Sequence, residues 1–333
     1  MEKKSLTATI YTKAADLPAL DERNYFHSKR LFDLCRNTPR HKPYMVVARD
    51  GNGELAGHML AIVRYRSSLF PPYLYRHCRV LGEGVYYDNG QWSMVNGQSS
   101  EVMGVMLKAI THHLGNAILF IEVSHLSHKM TGYRQFRQNG FFGVRWMSIH
   151  NSLHSRTPEE RIPEKMMHRI ESSEKRGVTT DVVTGDNDFT AFMKLLKKHN
   201  VLKLKRYVPD AAFFRGLAES GDGRLLVTRY KGRVIGCSAL VFSERNAYLW
   251  YAAFRRKSYA LVHPDLMTVW QTVKYCHDQG YDHIFFMDVG LPFRKNSFRE
   301  FILSFGGKPT STRRWFRFSL RWLNKILSWF YRE

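Results

Sequence analysis

The sequence predicts an α/β protein in which one structural unit is used twice and the chain closes with an amphipathic helix. Three observations carry this. Residues 43–63 and 223–242 share a hairpin pattern in which Gly57 matches Gly236. Residues 99–110 and 263–274 share a helical pattern, with Met103 and Val105 matching Met267 and Val269. Residues 117–123 and 283–289 share a short apolar strand with one acid, Glu122 in the first copy and Asp288 in the second. In the strand that follows each, Arg145-Trp146 matches Arg314-Trp315. The order hairpin, strand, helix, strand, helix, strand recurs in both halves.

Each element has a local cause. Weak alternation over Leu6–Tyr11 predicts a first strand, and the apolar spacing within Asp21–Arg36 predicts a helix that Pro39 ends. Tyr44–Arg49 and Glu54–Val63 flank Asp50-Gly51-Asn52-Gly53, a hairpin turn. Cys78–Tyr87 reads as a strand, Ser99–Leu114 as a helix ended by Gly115, Ala117–Val123 as a buried strand and Gly143–Leu153 as another. Tyr133, Arg134 and Arg137 lie in a basic segment closed by Gly140. Arg156–Arg176 is charged and predicted to connect the halves through a helix. Strand Val178–Val183 then precedes helices Asp188–Leu204 and Pro209–Ser220. Leu225–Tyr230 and Val234–Phe242 form a hairpin around Lys231-Gly232, with Ala247–Phe254 as the next strand. A helix over Pro264–Gln279, a strand over Ile284–Val289, a basic loop and a short helix follow. The expected division is 1–155, 156–318 and a terminal helix, 319–333.

Composition narrows the function. The 333 residues are 44% hydrophobic and 14% aromatic, which suits packed domains rather than disorder. The 51 Lys and Arg against 29 Asp and Glu give a net charge of +22, a field that attracts nucleic acid, an anionic membrane or phosphorylated substrates. A generally basic soluble protein is the plainer alternative. Cys35, Cys78, Cys237 and Cys276 are scattered without metal-ligand or disulfide spacing, so free thiols and no metal are expected. No leader and no apolar run long enough to cross a bilayer is evident, so a cytoplasmic protein is expected.

The second half resembles the Fem-type (FemABX) aminoacyltransferases, within the tandem GNAT acyltransferase fold. The resemblance rests on Glu174-Lys175-Arg176-Gly177-Val178, on Lys205-Arg206-Tyr207-Val208-Pro209 with Phe213-Phe214, on His263-Pro264-Asp265-Leu266, on Gln279-Gly280-Tyr281 and on Phe301–Gly307. It covers about residues 165–310 directly and the first half through the repeat. It implies two tandem GNAT-like domains, strongly twisted mixed sheets flanked by helices, with the second catalytic. It further implies transfer of an acyl or aminoacyl group onto an amine, with aminoacyl-tRNA or acyl-CoA as donor and no tightly bound cofactor. Fem-type enzymes act on a peptidoglycan precursor. Two departures stand out: Ile302 occupies the place of the family's lysine in Phe-x-x-x-Phe-Gly, and no long helical arm is present.

Aminolysis of an ester or thioester needs a neutral amine, a stabilised oxyanion and close approach. Asp288, at the end of a buried strand, either handles the amine or is a carboxylate satisfied by backbone N–H groups. Arg294 and Lys295 follow it, as an oxyanion or phosphate contact or as solvated loop charges. Arg299 is a further stand-in for the missing lysine. By the resemblance, Arg206 and Tyr207 lie where the family meets its acceptor, and Tyr251 lies on the donor strand; for both tyrosines packing is the alternative. His263 reads as a helix-start residue, with a base as the other reading. GNAT enzymes cradle the CoA pyrophosphate in a (Gln/Arg)-x-x-Gly-x-(Gly/Ala) loop. Here that stretch reads Arg255-Arg256-Lys257-Ser258-Tyr259-Ala260-Leu261, without glycine, and Asn96–Ser100 does not fit either. This disfavours a conventional CoA site and leaves room for aminoacyl-tRNA, with Arg255, Arg256, Lys257 and Tyr259 as donor contacts.

The tail has the sharpest pattern. Basic residues fall at Arg314, Arg317, Arg321, Lys325 and Arg332, among Trp315, Phe318, Trp322, Ile326, Trp329 and Phe330. The repeat makes Arg313–Phe318 a strand and leaves Ser319–Tyr331 as a helix. Arginine and lysine beside tryptophan on such a helix indicate a membrane interface, with Trp315, Trp322, Trp329, Arg321 and Lys325 as contacts. A helix docked on the protein's own core is the alternative. The expected protein is therefore a transferase peripheral to the inner face of the membrane, acting on an envelope-precursor amine. An acyl-CoA-dependent N-acyltransferase of lipid or sugar amines, and a non-catalytic protein that binds RNA or anionic membrane, are the competing readings.

Overall fold

Alternating apolar residues and an Asp-Gly turn give the first half its sheet. After β1 (Thr7–Tyr11) and α1 (Lys29–Arg36), β2 (His41–Arg49) and β3 (Leu55–Ser68) form the expected hairpin, with Met45 opposite Leu60. Helix α1 is shorter than the Asp21–Arg36 pattern suggests because Ser28 caps it, its hydroxyl accepting from the Leu31 N–H at 3.1 Å. The strand expected over Cys78–Tyr87 is two, β4 (Tyr73–Leu81) and β5 (Val85–Asp88), because Gly82 and Gly84 both take φ near 94° and turn the chain between them. β6 (Gln91–Trp92), α2 (Gly97–Leu114), β7 (Phe120–Ser124), α3 (Tyr133–Gln138) and β8 (Phe142–Ser152) follow. The computed structural model describes residues 6–68, 73–88, 91–92, 97–124, 126, 132–200, 207–287, 289–292 and 295–331.

The second half repeats the plan. α4 (Glu164–Lys175) leads into β9 (Val178–Val182), α5 (Asp186–Asn200) and α6 (Ala211–Glu219). β10 (Gly223–Tyr230), β11 (Arg233–Ser243) and β12 (Asn246–Phe254) form an antiparallel meander. A 3-10 segment (Arg256–Val262) then enters α7 (Pro264–Asp278). β13 (His283–Phe286), α8 (Ser297–Leu303), β14 (Lys308–Phe318) and α9 (Arg321–Phe330) complete it.

The chain packs as two units, residues 1–146 with 311–333 and residues 147–310, so the divisions differ from those at 155/156 and 318/319. The cause is strand pairing. In the first unit the order is β1-β2-β3-β4-β7-β14, with Trp315 of β14 opposite Val123. In the second it is β8-β13-β12-β11-β10-β9, with Ile149 of β8 opposite Phe286. Each half thus gives its last strand to the other half's sheet.

This pairing corrects the place of Trp315. It is 1% exposed, stacked on Phe136 with ring centroids 4.6 Å apart, and makes no membrane contact. On β14 the period of two turns Trp315 into the core of the first unit, with Val123 and Phe141.

The matched glycines let a helix settle on each sheet. At Gly57 a methyl group would stand 2.9 Å from Val102 of α2, and at Gly236 it would overlap the Thr268 hydroxyl of α7. Into that space the second unit places a chain of hydroxyls. Thr228 lies 2.9 Å from Thr180 and 2.8 Å from Thr268, and Ser238 lies 2.8 Å from Thr272. The first unit instead buries His27, with the N–H groups of Leu60 and Gly84 at 3.1 and 3.0 Å from its two ring nitrogens. Burial, and then the neighbouring His58, hold its pKa down to about 3; burial holds His58 down to about 4. An imidazolium at position 27 would also set N–H against N–H on both sides.

Two outcomes follow from these packings. The unfolded chain takes up the His27 proton near the ordinary 6.5 and the folded chain near 3. Stability is therefore complete above pH 6.5 and falls as pH drops, by about 2 kcal/mol from this residue between pH 7 and 5. Urea denaturation at the two pH values measures it, and His27→Gln should flatten the slope. Trp315→Ala should cost about 3–5 kcal/mol, whereas exposed Trp322→Ala should change stability by less than about 0.5 kcal/mol.

Candidate functional site

In the second unit two parallel strands part company at their carboxyl ends. β12 runs beside β13 only from Asn246 to Leu249, against His283 to Phe286. The Met287 N–H donating to the Leu249 carbonyl at 3.3 Å is the last tie among the described residues. β12 continues to Phe254 along β11, and the register shift between Ala239 and Leu240 makes Trp250 an extra residue. A bulge of this kind bends its strand and re-aims the backbone beside a site. Beyond Leu249 the ladder gives Trp250–Phe254 no β13 partner among the described residues, and this is the carboxyl end of the strands, where an α/β sheet collects its ligands.

Neighbouring side chains fix this end of the sheet. Tyr251 is buried, edge-on to Phe214 at 5.4 Å, and its hydroxyl donates to the Tyr207 carbonyl at 2.8 Å. These two substrate-contact candidates therefore brace each other. His199 of α5, not singled out by sequence, places Nδ1 3.2 Å from the Phe254 carbonyl. Asn296 caps α8 by accepting from the Phe298 and Arg299 N–H groups (3.0 and 3.2 Å), and its amide donates to the Val289 carbonyl at 2.9 Å. Arg299 is buried and donates to the Leu291 carbonyl at 2.7 Å, so it holds this loop. Ile302, in the family's lysine place, is 0% exposed within the core. Lys295 is exposed. Asp288, Arg294 and Arg206 lie outside the described residues.

The connection from β12 to α7 carries the donor-contact candidates. Arg255 continues the sheet, its N–H donating to the Ile235 carbonyl at 2.8 Å. Arg256 Nε lies 3.2 Å from Asp265 Oδ2, Lys257 is exposed, and Tyr259 packs edge-on to Tyr230 at 6.3 Å. His263 sits at φ 42°, ψ 59° before Pro264. Its pKa is lowered by burial and by Arg169, Arg176 and Arg256, against the opposing Asp265. Two depressions adjoin this segment, of about 660 and 340 Å³, sharing Arg169, Ala260 and His263.

The fold's usual co-substrate, acyl-CoA, is held by backbone N–H groups at this helix start. The residues present do not fit that cradle. Pro264 has no N–H, no glycine permits close approach, and the Asp265 carboxylate already occupies the helix's positive end.

The remaining candidates lie on α9, in the first unit. Ser319 donates from N–H and hydroxyl to the Leu119 and Gly115 carbonyls, both at 3.0 Å. Asn324 accepts from the Phe318 N–H (2.9 Å) and donates to the Gly140 carbonyl (3.0 Å). Leu323 and Leu327 are half-buried, while Trp322, Trp329 and Phe330 are 62%, 64% and 69% exposed, beside exposed Arg321 and Lys325. Among the described residues no cluster suits a metal, and no helix is long and apolar enough to cross a membrane.

Comparison places this geometry. The acetyltransferase (GNAT) domain family matches residues 164–295. No curated protein sequence matches the chain significantly. By structure it is similar to FemX, with a TM-score of 0.61 and 11% identity over 95% of this chain and 96% of that one. It is similar to a tandem GNAT protein from the clavulanic acid biosynthesis pathway (0.57, 10%, 95% and 99%). It is also similar to the C-terminal domain of a protein described as a lysylphosphatidylglycerol synthetase from Agrobacterium fabrum (0.57, 10%, 91% and 92%). At such identities the likeness is one of fold. Residues 164–295 thus form a GNAT acetyltransferase domain within a tandem-GNAT fold, and the protein is an acyltransferase.

Proposed function

We propose that the protein transfers an aminoacyl group from aminoacyl-tRNA onto an amine of a lipid-linked or other cell-envelope precursor, while α9 rests in an anionic membrane interface. The parting of β12 from β13 carries the reading, because it lies in the unit that bears the acetyltransferase domain. The names of two neighbours, FemX and lysylphosphatidylglycerol synthetase, support an aminoacyl donor and an envelope acceptor.

In this reading the amine nitrogen attacks the ester carbonyl, a C–N bond forms, and the C–O bond to the donor breaks as the leaving oxygen takes up a proton. Backbone N–H groups of the Trp250–Phe254 stretch stabilise the oxyanion. Asp288, which follows β13, receives the amine proton. Lys295 and Arg294 offset the donor's charge, since buried Ile302 and committed Arg299 do not. Arg206 and Tyr207 flank the acceptor. A second reading keeps the same chemistry with an acyl-CoA thioester, and the family match favours it.

The exposed aromatics of α9, with Arg321 and Lys325, support membrane contact, because nothing among the described residues covers them. The protein then works peripherally, at the cytoplasmic face.

Purified protein given labelled aminoacyl-tRNA or acyl-CoA, with an amine-bearing lipid precursor, should transfer label from the former. Asp288→Asn should lower the rate about 100-fold with the circular dichroism spectrum unchanged. Transfer from acyl-CoA alone selects the second reading, and transfer from neither donor rejects both. Separately, Trp322→Ala with Trp329→Ala should weaken binding to anionic vesicles at least about tenfold. Equal binding by the double variant would remove α9 from the membrane.

A further inference from the structure

Helix α4 carries a row of polar side chains along one face. Lys165, Arg169, Ser172 and Arg176 recur at spacings of four, three and four, so they share one face. Ile170 and Ser173, flanking this row, are buried. The polar row lines the depression of about 660 Å³, whose other walls are Ala260, Leu261 and His263 from the segment before α7. Arg176 is anchored there, donating to the Leu261 carbonyl at 2.6 Å.

The charges in this depression do not balance. Among the described residues no carboxylate lies within ion-pair distance of Lys165, Arg169 or Arg176. Glu164, at the rim, lies 3.5 Å from His168, and His168 lies 3.9 Å from Glu171. Asp265, in the adjoining depression, is paired with Arg256. Cations gathered in one concavity repel one another until an anion enters, and guanidinium groups favour phosphate through paired hydrogen bonds. The volume is that of a nucleotide-sized ligand.

We propose that the depression between α4 and the segment before α7 is a phosphate-binding site for a nucleotide-sized ligand, formed by Lys165, Arg169 and Arg176 with Ser172 and His263 at its wall. Side chains here take the part that Pro264 and Asp265 deny to the start of α7. Lys165 and Arg169 meet the phosphate oxygens, Arg176 closes the far end from its anchor on Leu261, and exposed Leu261 offers an apolar edge beside them. Identifying the ligand as the transfer donor rests on the reading above; the binding itself does not.

Calorimetric titration of the full chain with inorganic pyrophosphate and with adenosine 3′,5′-bisphosphate tests it without any acyl group. Both should bind saturably, and more weakly as salt rises from about 0.05 to 0.5 M. Arg169→Gln and Arg176→Gln should each weaken binding about tenfold, and together about 100-fold. Arg36→Gln, an exposed change on α1, should leave it unaltered and so separates the site from the general positive field. Tighter binding of the bisphosphate indicates a nucleotide ligand; equal binding indicates recognition of phosphate alone, and either supports the site. Wild-type affinity in the α4 variants, or an equal loss in Arg36→Gln, overturns it. Transfer that proceeds while neither probe binds would sink this site and leave the transferase reading intact.

Discussion

Hydroxyl-to-hydroxyl contacts between α7 and its sheet set the geometry of the second unit. Thr268 reaches Thr228 at 2.8 Å and donates to the Pro264 carbonyl at 2.7 Å; Thr272 reaches Ser238 and donates to the Thr268 carbonyl at 2.6 Å. The hydroxyls of Thr228, Thr268, Ser238 and Thr272 all have partners, so the helix has one seat, whereas an apolar interface of the same size would tolerate sliding. Gly236 makes that approach possible. With α7 fixed, the 3-10 segment ahead of it is fixed as well, and so is the wall of the depression that faces α4.

The two units show how one topology can end in opposite ways. In the second, the bulge at Trp250 lets β12 diverge from β13. In the first, β4 and β7 stay paired to Leu81 and Ser124, and the Gly82 N–H continues the ladder to the Ser124 carbonyl at 2.8 Å. The acid repeated on the central strand is there committed to neighbours. Glu122 lies 3.0 Å from Arg314 and 3.6 Å from Arg79, and accepts from the Ser124 hydroxyl, while the Arg314 guanidinium covers the Trp146 ring at 3.9 Å. A parted strand pair in one unit and an ion-pair cluster in the other follow from a single extra residue and a few charges.

Much of this was legible in the sequence, and the gaps have physical reasons. The hairpins, the helix starts and the repeat announce themselves through turn residues and periodicity, which are local properties. Strand exchange does not, because alternation says which residues face inward and nothing about which strand lies alongside. Trp315 shows this: the repeat places it on a strand, and only the pairing of that strand with β7 turns it into the first unit's core. Gly82 and Gly84 split a strand that composition alone had joined. Sequence puts Ile302 in the lysine's place, but only packing shows it sealed in the core. The row Lys165, Arg169, Ser172 and Arg176 had a helical spacing open to view, yet its meaning depends on what α4 packs beside.

The exchange of last strands also bears on how the molecule is made. The ribosome delivers the first unit's residues first, yet its sheet lacks β14 until residues 308–318 have been synthesised. The second unit has all its strands, β8 to β13, by residue 286. The half of the molecule that is synthesised earlier is therefore the later to close. Until then the edge of β7 stays open, with unpaired backbone groups of the kind that invite mispairing.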